Sequence, residues 1–122
     1  MEFNSDKAIY LQIADYICDQ IQMKKWKSNE KIPSVRELAV ILEVNPNTVM
    51  RAYDHLQQQE IIYTKRGMGY FVNEHSSAKI LKERKDQFLK EELPAIFRRM
   101  QMLGINSNEL LSQLDYFNKT NV

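Results

Sequence analysis

The sequence predicts a mainly α-helical chain with one small β-hairpin, on three observations. Apolar residues recur at three- and four-residue intervals through residues 9–24, 35–42 and 46–59. The second and third of these runs are each preceded by a helix-capping side chain, Ser34 and Asn45. Between residues 61 and 74 the pattern changes to two β-branched and aromatic runs around Arg66-Gly67-Met68-Gly69, the composition of a hairpin with a flexible tip.

Each element has its own chemical reason. Ile9, Ile13, Ile17 and Ile21 are four residues apart and form one stripe, widened by Tyr10, Ala14 and Tyr16, with Asp15, Asp19 and Gln20 off it. The polar stretch "KKWKSNEKIP" that follows cannot continue a helix and reads as a loop, with Trp26 and Ile32 as its anchors to the core. Ser34 followed by Glu37 is a capping box, which opens a helix over 35–42 with Leu38, Ala39 and Leu42 inward. Asn45 can cap the next helix, and Pro46 at its first position gives up an N–H that has no partner there. Val49, Ala52, Tyr53 and Leu56 form the inward stripe, leaving Asn47, Thr48, Met50, Arg51 and Asp54 outward. Two short helices joined by about three residues, then a basic-tipped hairpin, make a winged helix-turn-helix.

After Ser76-Ser77 a long helical pattern carries Ile80, Leu81, Phe88, Leu89, Leu93, Ile96, Phe97, Met100 and Leu103, and Pro94 is expected to kink or break it. Gly104 fits a C-terminal cap, and Asn106 or Ser107 can start a last helix with Leu110, Leu111, Leu114 and Phe117. The predicted organisation is a winged helix-turn-helix domain over 1–75 and a C-terminal α-helical hairpin over 76–122. A two-helix hairpin cannot bury both of its faces alone, so dimerisation is the expected use of its apolar stripe. About 45 residues are too few to enclose a metabolite pocket of ~300 Å³ or more.

Composition narrows the function. The chain has 122 residues, 43% hydrophobic and 27% charged, and no run approaches the roughly 20 apolar residues of a membrane span, so a cytoplasmic location is expected. His55 and His75 are the only histidines and Cys18 the only thiol. Cys18 is expected to be a small buried thiol and His55 an outward side chain. No Gly-rich phosphate loop, Ser/His/Asp order or metal-ligand spacing is present, so neither an enzyme, a cofactor nor a metal site is expected. Residues 1–75 carry 9 Lys and Arg against 10 Asp and Glu, so any polyanion site must come from placement of charge.

Placement does suggest one. Asn47, Thr48 and Arg51 lie in the first two turns of the second helix of the helix-turn-helix, the part that enters the DNA major groove in such units. Arg51 can pair bidentately with guanine, Asn47 with adenine, and Thr48 can reach a phosphate or a base edge. Ser34 and Arg36 on one side, with Lys65 and Arg66 on the other, would bracket that helix with phosphate contacts, and Gly67 and Gly69 allow close backbone approach.

"PSVRELA" and "VNPNTV", with "IYLQIADYI" before them and "IIYTKRGMGYFV" after, resemble the GntR family of bacterial transcription regulators, specifically its short YtrA-type branch, over about residues 9–72. The resemblance implies a homodimeric repressor-type protein on a palindromic double-stranded operator. By position it implies DNA contact at Ser34, Arg36, Asn47, Thr48, Arg51, Arg66 and Gly67, and less directly at Asn45, Lys65 and Gly69. The family usually has glycine where this chain has Lys24, Asn29 and Glu60. A left-handed Glu60 would cost roughly 1–2 kcal/mol, so a different end to the recognition helix is expected. A winged helix used for protein contacts or nonspecific nucleic-acid binding is the alternative that the near-neutral charge leaves standing.

Overall fold

The computed structural model describes residues 2–4 and 6–121. Its elements are helices α1 (Ile9–Gln22), α2 (Val35–Leu42) and α3 (Pro46–Gln58), strands β1 (Ile62–Lys65) and β2 (Gly69–Val72), then α4 (Ser76–Gln87), a π-helical turn (Phe88–Glu92), α5 (Leu93–Leu103) and α6 (Ser107–Thr120). The chain divides into two compact units, the first ending at Glu83 and the second beginning at Arg84.

In the first unit α1 and α2 both pack on α3. Ile13, Ile17 and Ile21 meet Leu38, Leu42, Val49, Ala52, Tyr53 and Leu56 in one core, closed by Ile61, Ile62 and Val72 of the hairpin and Ile80 of α4. The inward positions of α2 and α3 are those the sequence periodicity marks. Ile9 is the exception in the α1 stripe: it opens the helix and is exposed. Strands β1 and β2 pair antiparallel in the register Ile62 with Val72 through Lys65 with Gly69.

The stretch before α2 is more ordered than its composition suggests. Val72 N donates to Glu30 O at 3.0 Å, Ile32 N to Tyr70 O at 3.0 Å and Asn29 N to Val72 O at 2.8 Å, so residues 30–32 run along β2 after the left-handed Asn29, joined to it by an isolated antiparallel bridge between Lys31 and Phe71. A lone apolar Ile32 carries no periodic signal; the hydrogen bonds to β2 supply the order that periodicity lacks.

Four helices end in the same way. In α1, α2, α3 and α5 a left-handed residue donates its N–H to the carbonyl three back, and the next residue reaches the carbonyl five back, the paired bonds of a Schellman motif. The left-handed residues are Lys24 (φ 62°), Glu43 (φ 57°), Glu60 (φ 59°) and Gly104 (φ 69°). Helix α3 therefore ends in the conformation that glycine favours despite Glu60, against the expectation of a different ending. The reason is local: Ile61 N bonds Leu56 O at 2.9 Å while the Ile61 side chain is buried, which outweighs the strain at one backbone position.

The start of α4 is fastened to that helix end. Lys79 Nζ donates to Gln59 O, Asn73 Nδ2 to Glu60 O at 2.6 Å, and the buried Ser76 Oγ to Ile61 O at 2.5 Å, so three consecutive carbonyls receive side-chain donors. Lys24 Nζ donates to Ser77 Oγ at 3.0 Å and Ser28 Oγ to Glu74 O at 2.6 Å, tying the same segment to the turn after α1.

In the second unit, Pro94 stands in the first turn of α5 and the chain remains helical on both sides of it. The winding changes instead of breaking: the π-helical turn ends immediately before α5, and its wider turn accommodates a residue with no N–H and a ring that crowds the preceding carbonyl. Gly104 closes α5, and Asn106, not Ser107, caps α6 in a capping box with Glu109. The π-helical turn, α5 and α6 bury no residue, while Phe88, Ile96, Phe97, Leu111, Leu114 and Phe117 stand exposed.

Candidate nucleic-acid interface

The first turn of α3 is built by Asn45, whose Oδ1 accepts from Asn47 N at 2.8 Å, with Pro46 following. Asn45 is thus occupied in starting the helix. Asn47 and Arg51 are one turn apart on the same exposed face, and Thr48 beside them is half-buried. The opposite face holds Val49, Ala52 and Tyr53 rigidly, because all three are fully buried.

Two tyrosines fix the surroundings of this helix. Tyr53 Oη donates to Pro33 O at 2.6 Å and its ring meets Tyr70 edge to face, with centroids 4.8 Å apart. Burial pushes the Tyr53 phenol well above its ordinary range, so it remains a donor at any physiological pH. Tyr70 Oη reaches the Met50 Sδ at 3.8 Å, which places β2 against the exposed side of α3. Tyr53 and Tyr70 together tie α3 to the segment entering α2 and to the wing.

On α2, Ser34 Oγ accepts from Glu37 N at 3.1 Å and Ser34 N donates to Glu37 Oε1 at 3.0 Å, completing the capping box. The Ser34 backbone bond, then the Ser34 hydroxyl, hold the Glu37 carboxyl below its usual range. Arg36 is exposed in the same turn. On the wing, Lys65 Nζ stands 4.8 Å from the Phe71 ring centroid, and Arg66 and Gly67 are exposed at the tip. Gly67 has φ 78° and Gly69 φ 111°, and a Cβ on Gly69 would come within 3.1 Å of Lys31 Cε.

That contact brings forward a residue the sequence reading passed over. Lys31 lies along the wing beside Gly69, at the isolated bridge to Phe71. Only that bridge to β2 puts it there, and no motif marks it. Two other expectations change. His55 does not stand free in solvent: it is half-buried, its ring edge-to-face with Tyr10 at 5.9 Å, because α1 crosses that side of α3. Cys18 is half-buried at the rim of the core and not within it, and forms no disulfide.

Residues 9–72 match the family of bacterial regulatory proteins named gntR. The chain belongs to the GntR family. It is 40% identical over 116 residues to an uncharacterized HTH-type transcriptional regulator, YhcF, of Bacillus subtilis, covering 95% of this chain and 94% of the relative. It is 35% identical over 106 residues to the HTH-type transcriptional repressor YtrA of the same organism, covering 87% of this chain and 81% of that one. A solved GntR-family regulator from Bacteroides thetaiotaomicron, described as a putative transcriptional regulator, superposes with a TM-score of 0.83 at 48% identity, over 94% of this chain and all of the other. This GntR protein is accordingly a DNA-binding transcription regulator of bacterial type and not an enzyme. Among the described residues no group of three His, Cys, Asp or Glu could hold a metal, and no helix is long and apolar enough to cross a membrane.

Proposed function

We propose that this GntR regulator is a cytoplasmic homodimeric repressor that binds a palindromic operator through α3 and the wing. The observation that carries the reading is the exposed Asn47 and Arg51 face of a helix whose other side is locked into the core, with the wing strand held beside it by Tyr70. A helix so fixed presents hydrogen-bonding groups without having to be ordered on binding, and its N-terminal end suits the edge of a base pair and a nearby phosphate.

Arg51, Asn47 and Thr48 read bases in this account. Ser34, Arg36, Lys65 and Arg66 hold phosphates, Gly67 and Gly69 let the wing backbone approach, and Asn45 contributes by setting the helix start. Lys31, alongside Gly69, is an added phosphate contact. The second unit is the dimerisation part: α5 and α6 bury nothing within one chain while presenting large apolar side chains, a state that a second copy relieves. Two-fold symmetry of the protein then requires two-fold symmetry of the operator, with half-sites one helical turn or a multiple of it apart. The repressor sense is supported by the likeness to YtrA along most of both chains.

Footprinting of the pure protein across the DNA upstream of its own coding sequence tests this. The reading expects protection of two symmetry-related half-sites on one face of the duplex. Protection of a single unsymmetric site, or uniform coating that does not depend on sequence, would point instead to a monomeric or nonspecific binder.

A further inference from the structure

We propose that Tyr10, on α1, is a positioning residue that holds the Arg51 guanidinium ready for base reading, and this rests on the assignment of Arg51 as a base reader. The Arg51 Cζ lies 4.0 Å from the centroid of the Tyr10 ring, which stacks the guanidinium on the aromatic face. His55, one turn further along α3, meets the same ring edge-to-face at 5.9 Å, so Tyr10 is gripped by two side chains of the recognition helix. Tyr10 itself packs against the core and cannot drift.

The chemistry of the pair separates two uses of one group. Stacking engages the faces of the planar guanidinium, whereas guanine recognition uses the N–H donors around its edge. Arg51 can therefore keep its stack while it reads a base. A free arginine loses much rotamer freedom when it is fixed on DNA; one already stacked has lost part of it beforehand. Tyr10 thereby acts on selectivity through Arg51 without touching DNA.

The experiment measures binding of the full chain to duplexes that differ at the base pair where Arg51→Ala loses discrimination. Tyr10→Leu and Tyr10→Met keep apolar bulk and remove the ring, Tyr10→Phe keeps the ring, and thermal melting confirms that each is folded. The expected result is that Leu and Met lower discrimination at that pair about tenfold with an unchanged salt slope, Phe retains it, and neither Leu nor Met adds anything in the Arg51→Ala background. The proposal is overturned if Tyr10→Leu and Tyr10→Met weaken every duplex alike, if their effects add to that of Arg51→Ala, or if Phe behaves like Leu. An Arg51→Ala protein that keeps full discrimination at every base pair overturns the base-reader assignment and this proposal with it. That outcome is distinct from one in which Arg51 matters and Tyr10 does not.

Discussion

Ser34 shows how one side chain builds local structure beside Arg36, for which we propose a phosphate contact. Its hydroxyl and amide close the capping box with Glu37, and the same turn presents Arg36 to solvent. Ser34→Ala should cost about 1 kcal/mol of folding stability in urea titration, before any effect on binding is considered. Glu37 gives this a pH signature. Its carboxyl titrates lower in the folded than in the unfolded chain, so its contribution is present above the ordinary carboxylate range and disappears as pH falls through it toward the lower folded value. The difference in urea midpoint between the wild type and Glu37→Ala should therefore shrink on acidification, and a difference constant with pH would contradict the assignment. Glu43 is a simpler case: an exposed, left-handed residue where glycine has no steric penalty. Glu43→Gly should raise stability by about 1 kcal/mol, read as a higher melting temperature, and a fall would mean that its strain is negligible.

At the scale of elements, the clasp between the end of α3 and the start of α4 makes its own prediction. Ser76 is buried and its hydroxyl is one of two donors to Ile61 O, the other being Asn73 N at 3.0 Å. Ser76→Ala leaves that carbonyl one donor, so a loss of about 1 kcal/mol in denaturant titration is expected, and a neutral result would show the bond to be dispensable. The clasp also marks the limit of what the sequence disclosed. Helices α2 and α3 were legible to within a residue because their caps are chemically explicit, Ser34 with Glu37 and Asn45 with Pro46. Their inward faces followed from periodicity alone. The pairing of residues 30–32 with β2, the edge-to-face contact of His55 with Tyr10 and the place of Lys31 beside Gly69 were not legible, since each depends on a partner distant in the chain. Glu60 shows the converse limit. Backbone propensity argued against its conformation, and burial of the next residue, Ile61, decided the matter.

For the whole molecule, the contrast between the two units governs behaviour. The first has a closed core of aliphatic side chains around Tyr53, and the second has helices with no buried residue. If the second unit is where copies associate, melting of the full chain should depend on protein concentration. A double substitution on α6, Leu111→Glu with Leu114→Glu, should make the protein monomeric in sedimentation while the first unit still melts cooperatively. A monomeric wild type would contradict this. Charge completes the picture at this scale, because the winged part is nearly balanced and any selectivity must come from where a few groups stand. The most direct test is an equilibrium titration of the wild-type protein against its footprinted site and a scrambled duplex at one fixed salt concentration. The account predicts a preference of ~10³-fold or more for the native site, falling with Arg51→Ala by about 1–3 kcal/mol through one base pair. Equal affinity for both duplexes would contradict it.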